Sequence, residues 1–475
     1  MNKLPVMLLC LICPLLLPSI TLAGNLVIER GGRRLVEHGL EGQSCSGTAY
    51  SPMVFEDSSP IIPEHGTVMY SMGGRFVDPC TGVDFMSPDR FGDRIWYQHQ
   101  LEDGSWSRAV DDPFSAQPVI DRSSFSWMQD AGYMKAHPES YVGHAGSASV
   151  VKIGNRYFMA FAASVDDRNL CAGEHSGTPN PCGSCLTPWS YFAGFWAVSD
   201  DGFHWRVDEG PMPPRRSNRA LNAAKIWIAP HSWDPVLFTN FKGVTRTSMV
   251  VRQEGDKTYF YVGANLWGSF RLKTLMLRMQ YSPDSPNGLT GYPEVYDTWA
   301  RAWVSCFDGE IPPWLNDHSD RGGILGAQLG TISHTDTFAD YQYIQTVSGD
   351  SLRPASATEH GLANLITYRL SNDLLHWTSA AVVPSTIRFF ANGDGYDLSV
   401  IDPIYVESAD GSYQFFFASA DGDASGRGRD GVHDCDIGGK EGTAPFIGLG
   451  IYSGGARIPS RSPGTASAIS QRAGQ

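Results

Sequence analysis

The 475-residue sequence predicts an all-β chain made of repeated hairpins, and three observations carry that prediction. The first is one strand–turn–strand pattern written three times. Asp402-Pro403 opens the short run Ile404-Tyr405-Val406, Asp410-Gly411 supplies a turn, and Tyr413 to Ala418 returns as an aromatic strand. Ala145 to Ala163 repeats the pattern around Gly154-Asn155, and Ser248 to Ala264 around Gly255-Asp256. Gly, Asn and Asp tolerate the positive φ that tight hairpin turns demand. The second observation is a strand that ends in an acidic turn and then presents a Trp, at Leu101 to Trp106, Ser199 to Trp205 and Ser371 to Trp377. Such a Trp is expected to cover the gap between neighbouring sheets. The third is that apolar residues at helical spacing are scarce; Leu221 to Ile228 is a short helical or irregular piece.

Taken in order, the chain opens on a targeting pattern. Lys3 precedes the nearly all-apolar Val6 to Leu17, and Thr21-Leu22-Ala23 ends on a small residue, so residues 1–23 read as a secretory signal cleaved after Ala23. Gly24 stands where a lipoprotein would need Cys. Five units follow. The first holds Ala49 to Glu56, Thr67 to Met72 and Arg94 to Trp106; the second, Ser147 to Ala162 and Phe192 to Trp205. The third holds Ser248 to Gly263 and Leu275 to Tyr281. The fourth holds Ile324 to Ser333, Tyr341 to Val347 and Leu365 to Trp377; the fifth, Ser399 to Ala418 and Phe446 to Tyr452. Repeated small sheets that cannot close alone bury their faces by radial packing, so the expectation is a five-bladed β-propeller over residues 24–460. Arg461 to Gln475 lacks apolar periodicity and reads as a disordered tail.

Composition narrows the partners. Asp and Glu number 50 against 36 Lys and Arg, a net charge of −14, and no basic run exists, which argues against nucleic acid and anionic membrane surfaces. No stretch after the signal approaches the ~20 apolar residues of a membrane span. Export would leave seven of the nine cysteines: Cys45, Cys80, Cys171, Cys182, Cys185, Cys306 and Cys435. In an oxidising compartment most of these are expected to pair, with one disulfide pinning the loop that holds Cys171, Cys182 and Cys185. The competing readings of Cys182-Gly183-Ser184-Cys185 are a redox pair and half a zinc site, but it sits between prolines and no second ligand pair stands at usable spacing.

The Asp-Pro hairpin opening and the Ser-x-Asp-x-x-His-Trp turns at Ser199 to Trp205 and Ser371 to Trp377, together with Val400 to Ala418, resemble the five-bladed propeller glycoside hydrolases. That group comprises the family 43 arabinanases and xylosidases and their relatives in families 32, 62 and 117. The resemblance spans roughly Ala49 to Gly454. It implies three carboxylates at the inner ends of blades: an Asp base in the first, an orienting Asp in the second and a Glu acid in the third. This chain departs at each position. Ser51-Pro52 and Ser147-Ala148 stand where Asp is implied, and no Glu occurs in Gly243 to Ser248.

Candidate residues follow from chemistry and placement. Asp402 is the acidic residue at an inner-strand Asp-Pro, suited to base or ligand anchor; its alternative is a turn cap. Asp397 lies five residues earlier in the approach loop. His144 is a candidate acid with Glu139 as its rival, both in the segment leading into the second unit. Trp233 beside Asp234 could stack a sugar ring and bond its hydroxyls. Arg246 opens the third unit's first strand, where it would meet an anionic or hydroxyl-rich ligand or pair with an acidic neighbour. Asp78, Asp84, Asp89 and Asp93 crowd one loop, while Glu359-His360 and His433 to Asp436 could hold a cation without a recognised metal spacing. No G-x-S-x-G turn supports a serine hydrolase.

The expected function is therefore that of an exported, periplasmic or secreted protein acting on a poly- or oligosaccharide by carboxylate acid–base hydrolysis. No organic cofactor is called for, and a structural cation in the funnel stays open. The alternative is a propeller that binds a saccharide or a protein without cleaving it. A sucrose- or fructan-type transglycosylase ranks below both, as its Trp-x-Asn-Asp-Pro opening has no counterpart.

Overall fold

The structure, a computed structural model, describes residues 33–36, 48–63, 65–74, 94–107, 117–136, 141–166, 190–208, 243–267, 272–305, 314, 321–324, 330–348, 366–383, 401–408, 412–420 and 449–457. Residues 1–23, Arg461 to Gln475, Leu221 to Ile228 and all nine cysteines lie outside them.

The architecture is an all-β propeller. The first strand, β1 (Arg33–Val36), belongs to the last sheet. Next come β2 (Thr48–Glu56), β3 (Thr67–Gly74), β4 (Arg94–His99) and β5 (Pro118–Ile120), a four-stranded antiparallel meander. Two 3-10 turns and the short helix α1 (Ala131–Ala136) lead to β6 (Tyr141–Ile153), β7 (Arg156–Asp166), β8 (Ser190–Ser199) and β9 (Arg206–Val207). The third meander is β10 (Gly243–Glu254), β11 (Lys257–Trp267), β12 (Leu272–Tyr281), β13 (Leu289–Asp297) and β14 (Ala302–Ser305). The fourth is β15 (Thr331–His334), β16 (Tyr343–Ser348), β17 (Ile366–Ser371) and β18 (Ala381–Val382). Last come β19 (Ile401–Glu407), β20 (Ser412–Ala420) and β21 (Leu449–Arg457), with β1 added to β21 as outermost strand. Nothing in the sequence of Arg33–Val36 signals that closure.

Hydrogen bonding divides these strands into four sheets where the sequence reading expects five blades. The difference has one local cause. A single parallel bridge between Gly243 and Phe192 joins β10 to β8 and merges the second and third meanders into one nine-stranded sheet.

The core lies in wedges between meanders. Val68, Tyr70 and Tyr97 pack against Val150, Met159 and Phe161. Phe158 and Trp196 pack against Phe260, Leu275 and Leu277. Val250 and Tyr261 meet Ile332, Tyr343 and Leu374, while Ile344 and Tyr368 meet Tyr405, Phe415 and Phe417. The last wedge returns to the start, with Ile404 and Phe416 against Val54, Met69 and Trp106. First strands touch in the same cyclic order, β2–β6–β10–β15–β19–β2.

The acidic turns behave as their sequence predicts. Asp201 accepts from the backbone N–H of Phe203 and of His204 and faces His204 Nδ1 at 2.6 Å; Asp373 does the same for Leu375 and His376. Each turn carries a left-handed residue, Gly202 at φ 81° and Leu374 at φ 68°. Trp106 meets Phe416 of the fifth meander at 6.2 Å and Trp205 meets Tyr70 of the first at 5.9 Å, so the Trp residues do cover gaps between neighbours. Trp377 packs against Val250 and Tyr261 of the third.

Candidate functional site

Three first strands share one irregularity at one depth. In β2, Tyr50 pairs with Met72 and Met53 with Tyr70; in β6, Gly146 pairs with Ala162 and Ser149 with Ala160. In β19, Ile401 pairs with Ala418 and Ile404 with Phe416. Ser51-Pro52, Ser147-Ala148 and Asp402-Pro403 thus each stand opposite a single residue, which is a β-bulge. Their leading residues have φ of 49°, 51° and 54°, a left-handed conformation that costs a non-glycine residue about 1–2 kcal/mol. Strain repeated at equivalent positions re-aims side chains, and here it brings those of Ser51 and Asp402 together.

Asp402 is the centre of the resulting cluster. Its carboxylate is buried, Oδ2 accepts the hydroxyl hydrogen of Ser51, and Oδ1 forms an ion pair with Arg246 Nη2 without a hydrogen bond of regular geometry. Three meanders therefore meet through side chains at one point. Arg246 keeps 21 % of its side chain exposed, and burial lowers its guanidinium pKa to about 10. Beside it the Thr247 hydroxyl donates to the Ser147 carbonyl at 2.6 Å. Hydroxyls continue the stitching around the ring. Ser149 accepts from Met249 N at 2.8 Å, Ser248 accepts from Ile332 N at 2.7 Å, and Ser333 donates to the Tyr405 carbonyl at 2.8 Å.

The structure brings Arg246 and Asp402 together; the sequence offered them as separate candidates. It also relates His144 to Arg246. His144 opposes Ser164, the ninth residue of β7, and Arg246 opposes Asn265, the ninth of β11, each just after a register shift. The two occupy equivalent positions on adjacent first strands. Glu139, Trp233, Asp234 and Asp397 lie outside the described residues, as do Asp78, Asp84, Asp89, Asp93, Glu359, His360 and His433 to Asp436. In the sequence Ser51 and Ser147 stand only as missing carboxylates. Their signal was the shared pattern Ser-Pro, Ser-Ala and Asp-Pro in front of a hairpin, a small or acidic residue at the bulge. Among the described residues no group of three His, Cys, Asp or Glu side chains could hold a metal ion.

No family model matches the sequence, and no curated protein matches it. Solved structures are similar at low identity. A family 117 glycoside hydrolase of the marine bacterium Zobellia galactanivorans is 8 % identical, covering 90 % of this chain and 91 % of that one, with a TM-score of 0.44. An α-L-arabinofuranosidase of Clostridium thermocellum is 12 % identical over 78 % and 81 % of the two chains, with a TM-score of 0.35. A family 32 β-fructofuranosidase of Bombyx mori is 11 % identical over 82 % and 57 %, with a TM-score of 0.37. Likeness at this level gives this chain no activity.

Proposed function

We propose that this chain is a glycan-active propeller protein, that its nine-stranded sheet counts as two of five blades, and that it hydrolyses a glycosidic bond at the end of the ring where Asp402, Arg246 and Ser51 meet. The observation that carries the reading is the buried Asp402 carboxylate on a strained bulge, held between a hydroxyl and a guanidinium from two other blades. A carboxylate facing a guanidinium is stabilised in its charged form. That state suits it to activate water or to face the positive charge that develops on the sugar ring, and unsuits it to donate a proton. The acid is assigned to His144, which sits on the adjacent first strand at the position equivalent to that of Arg246. Export through residues 1–23 belongs to the same proposal and places the protein where poly- and oligosaccharides occur.

A second reading, saccharide binding without cleavage, is favoured by Ser51 and Ser147 at the bulge positions where the resembling hydrolases need carboxylates. One experiment separates the two. The exported protein is incubated with arabinan, xylan and fructan, and new reducing ends are counted. Hydrolysis predicts release from at least one polymer and a drop of at least a hundredfold in the Asp402→Asn variant. Full rate in that variant removes Asp402 from the chemistry, and retention of polymer without any release selects the binding reading.

A further inference from the structure

The third meander ends in a hairpin whose tip projects beyond its core. Between β13 and β14 the chain turns at Asp297 to Ala302, and Trp299 at the tip is 66 % exposed, the most exposed large hydrophobic among the described residues. The same hairpin already has its anchors to the body. Tyr296 and Trp303 contact edge to face at 5.3 Å, Trp303 reaches the Tyr261 ring at 5.5 Å, and Val295 is fully buried. Trp299 adds nothing to that packing.

Yet the tip is held firmly. Asp297 is 1 % exposed and accepts from the backbone N–H of Trp299 at 2.9 Å and of Ala300 at 3.2 Å. It also takes the Arg321 guanidinium in a two-pronged ion pair, with Nε at 3.0 Å from both carboxylate oxygens. Arg321 lies over Trp299 at 5.5 Å and over the half-buried Trp314 at 4.7 Å. Thr298 Oγ1 fixes the far side by accepting from Gly322 N at 2.9 Å. A buried carboxylate, a bidentate pair and a cation–π contact thus set one exposed indole in a fixed attitude.

We propose that Trp299 is a saccharide-binding platform away from the ring-end cluster; the choice of ligand rests on the glycan-active reading above. The surroundings of the ring select the ligand class. Among the described residues its neighbours at the tip are Thr298, Ala300 and Arg301, with Arg321 beneath and the Trp314 ring also against Arg321, so a flat apolar face stands beside polar groups. A protein partner needs contiguous apolar area with a buried centre, which the described residues of this tip do not form. A polyhydroxylated ring needs what is present: a flat aromatic face for its C–H side and nearby polar groups for its hydroxyls. The ligand is a neutral or acidic polysaccharide chain held at a second point.

The test is affinity electrophoresis of the full chain through gels containing arabinan, xylan or fructan. The wild type is expected to be retarded by at least one polymer, Trp299→Ala to lose at least fivefold in affinity with an unchanged melting temperature, and Trp299→Phe to keep most of the retardation. Equal retardation of Trp299→Ala and wild type overturns the platform, as does absence of retardation by every polymer. Asp402→Asn keeps the two proposals distinct. If it stops reducing-end release but leaves retardation intact, the platform acts apart from the ring-end cluster; if retardation follows Asp402 and ignores Trp299, the platform is overturned and the ring-end site is the binding site.

Discussion

Ser51 donates its hydroxyl hydrogen to Asp402, 351 residues further along the chain, and each residue stands in a left-handed bulge of its own strand. The contact joins the last meander to the first, so the residue offered for chemistry is also part of the seam that closes the ring. Arg246 adds a third strand to that seam.

Removing one side of the pair is expected to be costly. Arg246→Met leaves Asp402 buried opposite no cation, a change of about 3 kcal/mol or more for a well-buried pair. A urea-unfolding double-mutant cycle over Arg246→Met and Asp402→Asn should return a coupling above about 1 kcal/mol. Additive losses would mean that the ion pair does not stabilise the ring.

Two glycines beside the inner strands should differ sharply. A Cβ on Gly330 runs into the Thr346 carbonyl and the Val347 side chain, and the carbonyl is backbone that cannot yield without moving β16. A Cβ on Gly146 meets the flexible Met72 side chain. Overpacking costs about 1–3 kcal/mol where side chains can shift, so Gly330→Ala should lower the melting temperature by at least twice as much as Gly146→Ala. Equal shifts would contradict this.

Leu374 replaces a glycine of the sister turn and stays. Its left-handed φ of 68° costs about 1–2 kcal/mol, while its side chain is fully buried among Val250, Tyr261 and Met276. Deleting such a side chain costs about 2–5 kcal/mol, so the burial wins and Leu374→Gly should destabilise in thermal unfolding. Gly202→Ala should also destabilise, because it adds the strain without the burial. Stabilisation by Leu374→Gly would overturn the balance.

The acid limb of stability has named groups. The Arg321 hydrogen bond holds the Asp297 pKa below the usual carboxylate range against the opposing effect of burial. Burial alone would raise Asp57, but bonds from Tyr157 and Lys152 lower it. A depressed folded pKa contributes stability that is complete above the unfolded value, about 4, and is lost as pH falls through the folded value. Melting temperature should therefore decline below pH ~4 in the wild type and decline less in Asp297→Asn. An identical pH slope in the variant would remove Asp297 from the account.

Much of the ring was legible in the sequence because its code is local. Gly154 and Gly255 sit at positive φ in the turns where the hairpins were expected, and the Ser-x-Asp turns spell their own hydrogen bonds. The β1–β21 pairing was invisible, since four residues carry no periodicity that names a partner more than 400 positions away. The merged sheet likewise depends on one bridge between Gly243 and Phe192 that no pattern announces. Arg246 and Asp402 were each readable as unusual residues at strand openings. Their meeting was not, because it depends on ring closure bringing the third and fifth meanders to one point.

The central claim is that a saccharide is handled at the Asp402–Arg246–Ser51 cluster. A crystal structure of the protein with an oligosaccharide cut from the polymer that binds best tests it most directly. The expected result is a sugar oxygen within hydrogen-bond distance of the Asp402 carboxylate, about 2.7–3.2 Å, with Arg246 beside it. A sugar bound elsewhere, with the ion pair and the Ser51 hydrogen bond undisturbed and closed to solvent, would contradict it and leave Asp402 as a seam of the ring.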